Sequence, residues 1–146
     1  MPYYGCEDRE HVIHNYDHNP GRVAFVTMLM MNDTYLPGII MVGLQLKKLS
    51  PEIERVCMVT DDITEETIET ISKVFIIKQV PYIRVREGYI SDPTKSKIYS
   101  RSFTKLNFMN LTEYDKIIWI DADMIPLRNT SELIHYPSPS VPFLLG

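Results

Sequence analysis

The sequence predicts one α/β domain built on a mostly parallel sheet that is flanked by helices. From residue 22 onward, short apolar runs alternate with segments of helical periodicity, and this alternation is typical of a parallel sheet covered by helices. The chain has 146 residues, of which 45% are hydrophobic and 23% are charged. Such a length and composition indicate one folded domain and argue against disorder, collagen and coiled coil.

Four apolar runs predict the strands of this sheet, at residues 23–28, 55–60, 75–82 and 116–120. The first two and the last are nearly continuous in apolar residues, which indicates strands that are covered on both faces. The third run ends at a proline, which cannot donate a ladder hydrogen bond. Between these runs lie the segments that we expect to be helical.

Three segments predict helices. Residues 36–49 carry apolar side chains at helical intervals and a proline in the first turn, where proline is tolerated. Residues 63–74 follow Asp62, which with Glu65 three positions later predicts a capping arrangement. A third helix is expected over about residues 102–111. In such a sheet the ligand site lies at the carboxyl ends of the strands.

The sequence predicts a polar N-terminal extension at residues 1–21 and a single α/β domain at residues 22–146. The N-terminus lacks the apolar core of a signal peptide, and the longest apolar stretch, residues 23–31, is too short to span a bilayer. We therefore expect a cytoplasmic protein with no membrane partner. Two cysteines do not make a disulfide framework, and Cys57 lies in an apolar run typical of a buried position.

The charge is distributed unevenly. The net charge of −4 argues against a nucleic-acid partner. Residues 84–105, however, contain six basic and two acidic side chains, so this segment is +4 and the rest of the chain is −8. A positive segment in an acidic protein suits a small anionic ligand; a solvated basic loop is the alternative.

The fourth strand runs directly into Asp121-Ala122-Asp123. In an extended chain, alternation points Asp121 and Asp123 to the same side, and two carboxylates suit a hard divalent ion such as Mn²⁺ or Mg²⁺. A metal-bound diphosphate would still be anionic, and Lys105, with one or two of Lys95, Lys97 and Arg101, would offset that charge. Two solvated carboxylates and a structural lysine are the alternatives.

Several ordered motifs together resemble glycosyltransferase family 8, the glycogenin-like group, over roughly residues 22–133. The arrangement is also similar to the small glycogenin-like proteins of some large DNA viruses. The motifs are residues 24–27, Asn32-Asp33-x-Tyr35-x-x-Gly38, residues 103–106, residues 111–116 leading into Asp121-Ala122-Asp123, and residues 127–129. No P-loop, G-x-G-x-x-G or G-x-S-x-G motif competes with this resemblance.

The resemblance implies a GT-A type, Rossmann-like fold and a Mn²⁺-dependent (or Mg²⁺-dependent) retaining transferase. Its donor would be a UDP-sugar, with UDP-glucose first, and its acceptor an unidentified hydroxyl; a homo-oligomer is compatible with it. By position, the metal ligands would be Asp121 and Asp123. The further nucleotide-sugar-binding residues would be Met28, Asn32, Tyr35, Lys97, Lys105 and Ala122. From the residues alone, Asn32 also fits a helix cap and Tyr35 a core aromatic.

The sequence departs from the family in two places. The loop at residues 28–31 is one residue longer than usual and lacks the common threonine. The family's third metal ligand, usually a histidine, and its acceptor-binding residues belong to a stretch that would follow Gly146. We therefore expect the chain to be the donor-binding part of a transferase whose C-terminal part is missing, and no catalytic nucleophile or base is assigned.

Two other functions compete with a transferase. One is a catalytically inactive module that binds UDP or a UDP-sugar. The other is a haloacid-dehalogenase-like phosphatase, in which Asp121 would be the nucleophile and Asp123 the acid/base. That fold normally begins with the strand that carries the two aspartates, whereas here most of the chain precedes it.

Overall fold

The computed structural model describes residues 21–84 and 101–137. Its centre is a four-stranded sheet in which every neighbouring pair of strands is parallel. The strands are β1 (Val23–Leu29), β2 (Glu54–Val59), β3 (Ile76–Gln79) and β4 (Lys116–Trp119), in the order β3-β2-β1-β4. The predicted fold class, a parallel sheet flanked by helices, is confirmed. Residues 1–20 of the predicted N-terminal extension lie outside the described residues.

The described residues also contain two α-helices and three 3₁₀ segments, the last of which follows β4. Helix α1 spans Leu36–Leu49 and α2 spans Glu65–Ser72. The 3₁₀ segments are Asp33–Tyr35, Ser102–Asn110 and Ser131–His135. Helix α1 has the predicted bounds, with Pro37 in its first turn. The third helix that we expected is instead the 3₁₀ segment Ser102–Asn110.

The predicted cap of α2 is wrong. The residue that precedes the helix is Thr64, whose hydroxyl accepts a hydrogen bond from the Thr67 amide at 3.3 Å. Residue Asp62 lies two positions earlier and is turned the other way: its carboxylate accepts hydrogen bonds from Thr60 and Tyr82. The Thr64 hydroxyl therefore caps α2, and the Asp62 carboxylate instead forms hydrogen bonds at the edge of the sheet.

The core has two layers, one on each face of the sheet. On one face, Phe25 and Leu29 of β1 pack with residues of α1 and α2 such as Val42 and Ile71. On the other face, Val26 and Met58 pack with residues that surround the 3₁₀ segment Ser102–Asn110. Burial on both faces explains the continuous apolar runs. The thiol of Cys57 is fully buried and unpaired, as predicted, and burial raises its pKa to about 12.

The strand order reverses next to β1. The chain proceeds outward from β1 to β2 and β3, and β4 then pairs with the opposite side of β1, with Val26 beside Trp119. In open α/β sheets, ligands bind where the order reverses, outside the carboxyl ends of the strands. The segments that follow β1 and β4 therefore border the expected crevice.

Candidate functional site

The two aspartates of the sequence motif lie in a turn that directly follows β4. The amide of Ile120 still donates to the Val26 carbonyl at 2.9 Å, which continues the pairing with β1 by one residue. The chain then reverses, because the Met124 amide donates to the Asp121 carbonyl at 3.1 Å. We call residues 121–124 the acidic turn. Alternation along an extended chain consequently does not apply to Asp121 and Asp123, although both side chains are exposed.

A tryptophan holds one of these carboxylates. The indole Nε1–H of Trp119 donates to Asp121 Oδ1 at 2.7 Å. The indole itself packs against Phe108, with 5.8 Å between the ring centroids. One oxygen of Asp121 is therefore fixed by a half-buried side chain, while Asp121 itself is exposed.

The segment after β1 forms a tight turn and then a cap. The Asn32 amide donates to the Met30 carbonyl at 2.9 Å, and the residue between them, Met31, has a φ of 73°. The Asn32 side chain accepts from the Thr34 amide at 2.9 Å and so caps the 3₁₀ segment. Tyr35, at the end of that segment, is 55% exposed and is not a core aromatic.

Helix α1 and the acidic turn approach each other closely at Gly38. A Cβ added to Gly38 would lie 2.4 Å from the carbonyl oxygen of Ala122. No ordinary side chain fits that gap, so a glycine lets the first turn of α1 rest against the acidic turn. The structure thus brings Ala122 beside the helix whose N-terminal side carries Asn32 and Tyr35.

The basic candidates are only partly described. Lys95 and Lys97 lie outside the described residues. Lys105 is an exposed residue of the 3₁₀ segment Ser102–Asn110. Neighbouring side chains tie that segment to the chain that follows β3: the Ile83 amide donates to Thr104 Oγ1 at 3.1 Å, and Asn107 Nδ2 donates to the Pro81 carbonyl at 2.8 Å.

Met28 lies in β1 and is half-buried, with its side chain against the second core layer. This is an apolar position one residue before the end of the strand. Its apolar side chain therefore lies near the carboxyl end of β1.

A polar network at the same edge was missed by our sequence analysis. The hydroxyl of Tyr82 donates to Asp62 Oδ2 at 2.6 Å and accepts from the Met31 amide at 3.1 Å. Thr60 Oγ1 donates to Asp62 Oδ1 at 2.5 Å. These residues follow β2 and β3 as the acidic turn follows β4. A polar residue just past each strand was the signal that could have found them, but we assigned Asp62 to a cap and Tyr82 to a strand.

Two carboxylates on one turn fit a hard divalent ion that takes its other ligands from phosphates and water. Within residues 21–84 and 101–137, no three side chains among His, Cys, Asp and Glu are grouped to hold a metal. The acidic turn by itself presents two exposed carboxylates, and Trp119 orients that of Asp121.

Comparison with known proteins identifies the family. Residues 26–139 match the profile of glycosyl transferase family 8. The chain belongs to this family. Its parallel sheet flanked by helices agrees with the GT-A type, Rossmann-like fold that the resemblance implies. The resemblance inferred from the motifs is confirmed.

The relatives include a viral protein and plant and fungal enzymes. "Uncharacterized protein R707" of Acanthamoeba polyphaga mimivirus is 33% identical over 80% of this chain and 41% of its own length. "UDP-glucuronate:xylan alpha-glucuronosyltransferase 2" of Arabidopsis thaliana is 29% identical over 83% of the chain and 20% of its own length. "Glycogenin" of Neurospora crassa is 28% identical over 75% of the chain and 16% of its own length. The chain thus spans less than half the length of these relatives.

None of the helices in the described part of the chain has both the length and the apolar character needed to cross a membrane.

Proposed function

We propose that this family 8 domain binds the UDP-sugar donor of a metal-dependent retaining glycosyltransferase that transfers a hexose to a hydroxyl acceptor. The single observation that supports this most is the placement of the acidic turn where the strand order reverses. That position is where this class of sheet binds its ligands. The names of the plant and fungal relatives describe sugar transferases or a glycogenin, which agrees with a sugar-nucleotide donor.

The acidic turn would hold the metal. Asp121 and Asp123 would supply one carboxylate each, and Trp119 would keep Asp121 oriented, as outer-shell partners do for metal ligands. When bound, a divalent ion neutralises charge on the departing diphosphate. Mn²⁺ is the first choice, with Mg²⁺ as the alternative.

The remaining candidates would bind the nucleotide. Lys105, with Lys97, would offset negative charge on the diphosphate, which is stabilisation of the kind that favours a leaving group. Ala122 would lie beside the ribose, and Met28 would supply an apolar position at the donor site. Asn32 and the exposed Tyr35 would meet the uracil, with the Tyr35 ring free to stack on it.

Turnover of UDP-glucose tests this function. We expect the purified chain to release UDP from UDP-glucose by hydrolysis or transfer in the presence of Mn²⁺, and Asp123→Asn to abolish that release. Asp61→Asn is the matched control, because Asp61 is an exposed aspartate just past β2, which β1 separates from β4.

Each outcome of this assay has a distinct meaning. Release of UDP supports the transferase. UDP binding without release would overturn the activity of this chain and leave an inactive UDP-binding module. If the chain neither binds UDP nor releases it from UDP-glucose, the whole proposal is wrong. A phosphoaspartyl adduct on Asp121 would instead support the phosphatase alternative.

A further inference from the structure

We propose that Tyr82 and Asp62 are positioning residues for the turn at residues 30–32, and that through this turn they set the affinity for the nucleoside part of the ligand. This inference rests on the proposed function, because it takes that turn to border the UDP site. Neither residue is one of the candidate ligand contacts described above. Both would act through the backbone of Met31.

The turn at residues 30–32 is strained. A three-residue turn closed by the Asn32 amide on the Met30 carbonyl, with a central φ of 73°, is the rare form of the γ-turn. The central residue is Met31. A residue other than glycine loses free energy of folding at a positive φ, and it keeps that conformation only where surrounding contacts hold it. The extra residue that we noted in this loop therefore needs support from outside the turn.

That support comes from Tyr82. Its hydroxyl accepts a hydrogen bond from the Met31 amide at 3.1 Å. The peptide group at the strained position is thus bound to a side chain 51 residues away. The same hydroxyl donates to Asp62 at 2.6 Å. A hydrogen bond to a carboxylate is short and strong, so Asp62 fixes the direction of the Tyr82 hydroxyl and leaves its lone pairs toward Met31.

Asp62 is itself held in place. Thr60 Oγ1 donates to Oδ1 at 2.5 Å, and the Arg101 guanidinium lies 3.9 Å from Oδ2 and 4.7 Å above the Tyr82 ring. Burial raises the pKa of the Asp62 carboxyl, but the hydrogen bonds from Thr60 and Tyr82 outweigh burial and keep the pKa below its usual value. The carboxylate is thus charged at neutral pH.

The network would act on one half of the site. Met31 directly precedes Asn32, which caps the 3₁₀ segment that ends at Tyr35. A shift of Met31 would therefore displace the proposed uracil contacts. The acidic turn is attached to β4, on the far side of β1 from β2 and β3, so the metal and diphosphate half should be affected far less.

Tyr82→Phe tests this inference, since it removes the hydroxyl and keeps the ring. We expect its affinity for UDP in the presence of Mn²⁺ to fall about tenfold, the equivalent of one lost hydrogen bond. Its affinity for Mn²⁺–pyrophosphate should stay within about twofold of wild type. Asp62→Asn should lower the affinity for UDP by less than Tyr82→Phe does, because the amide oxygen still accepts a hydrogen bond from Tyr82. It should also leave the affinity for Mn²⁺–pyrophosphate nearly unchanged.

Tyr114→Phe is the matched control. Tyr114 also donates its hydroxyl to a carboxylate, that of Glu54 at 2.8 Å, but Glu54 begins β2 and so lies at the opposite edge of the sheet. This variant should keep both affinities, while thermal unfolding shows that all three variants are folded.

The outcomes separate this inference from the proposed function. If wild type does not bind UDP, the proposed function is wrong. If wild type binds UDP and Tyr82→Phe and Asp62→Asn bind it equally well, the positioning role is wrong. An equal loss of UDP and pyrophosphate would also overturn it, because that result indicates a general disturbance of the sheet edge.

Discussion

Single hydrogen bonds orient the side chains at this site, and the bond from Trp119 to Asp121 is the most direct of them. Phenylalanine in place of Trp119 keeps a ring against Phe108 but removes the indole N–H. Loss of an outer-shell partner typically weakens metal binding 10–100-fold. We expect Trp119→Phe to weaken Mn²⁺ binding about tenfold, measured from the electron paramagnetic resonance signal of free Mn²⁺.

Phe108→Leu controls for this substitution, because it loosens the packing of the indole and leaves the indole N–H in place. It should retain most of the Mn²⁺ affinity. Equal affinity in Trp119→Phe and wild type would show that the hydrogen bond to Asp121 does not serve the metal.

Tyr114 makes stability depend on pH in the alkaline range. Burial raises the pKa of its hydroxyl, the hydrogen bond to Glu54 raises it further, and the value reaches about 12. The unfolded chain has the ordinary pKa near 10. The folded pKa is the higher one, so this contribution to the free energy of unfolding is complete below pH 10 and is lost as pH rises toward 12.

Urea unfolding of wild type and Tyr114→Phe checks this prediction. The stability advantage of wild type over the variant should shrink by about 1.4 kcal/mol between pH 9 and pH 11. The buried Cys57 thiol is common to both proteins and cancels in the difference. A difference that does not change with pH would contradict the raised pKa.

Sequence reasoning at the scale of residues succeeded where a side chain acts on its own neighbours. The Asn32 cap is a local contact, two residues long, and it is readable from residue type. The Tyr82 contacts with Asp62 and Met31 join residues 20 and 51 positions apart. No local pattern encodes such pairs, which is why the network was missed.

At the scale of elements, α1 carries two glycines, one of which lies against the acidic turn and the other against the core. A Cβ on Gly38 would meet the Ala122 carbonyl, whereas a Cβ on Gly43 would lie 2.5 Å from the Phe75 ring in the core. Alanine at either position should gain helix propensity, up to about 1 kcal/mol, and lose stability to the clash. Only Gly38→Ala should also displace the acidic turn.

We therefore expect Gly38→Ala to weaken Mn²⁺-dependent UDP binding by at least about tenfold, and Gly43→Ala to change stability with little effect on binding. Calorimetric titration with UDP, beside thermal unfolding of both variants, makes the comparison. Equal losses of binding in the two variants would show that the contact with Ala122 has no special role.

Element prediction worked best for α1, where apolar spacing and Pro37 agree, and less well for the segment Ser102–Asn110. There, side chains compete for backbone groups: Asn107 Nδ2 donates to the Thr104 carbonyl at 2.8 Å. In an α-helix that carbonyl would accept an amide four residues later. Helical periodicity alone cannot register this competition, so it predicted an α-helix in place of a 3₁₀ segment.

At the scale of the whole molecule, sequence patterns predicted a parallel sheet but not the order of its strands. Apolar runs show which segments are buried, whereas the position of β4 beside β1 depends on contacts that span more than 90 residues, such as Val23 with Lys116. That order brings the segments after β1 and β4 side by side at the carboxyl edge of the sheet. It turns two motifs that are far apart in sequence into one candidate site.

The charge pattern also has meaning at this scale. The acidic turn lies in a chain of net charge −4, whose basic residues concentrate in residues 84–105. Under the proposed function, the cation would suit the acidic turn and the phosphates would suit basic side chains such as Lys105. Mn²⁺ and UDP should consequently bind with positive coupling.

Fluorescence of Trp119 tests the central claim most directly, because this residue is the only tryptophan and its indole contacts Asp121. A paramagnetic ion at the acidic turn quenches a nearby indole. We predict that Mn²⁺ quenches Trp119 saturably, that UDP lowers the Mn²⁺ concentration required, and that Asp123→Asn removes the effect while Asp61→Asn retains it. Quenching that is absent, or that is the same in Asp123→Asn as in wild type, would contradict a metal-dependent UDP site at the acidic turn.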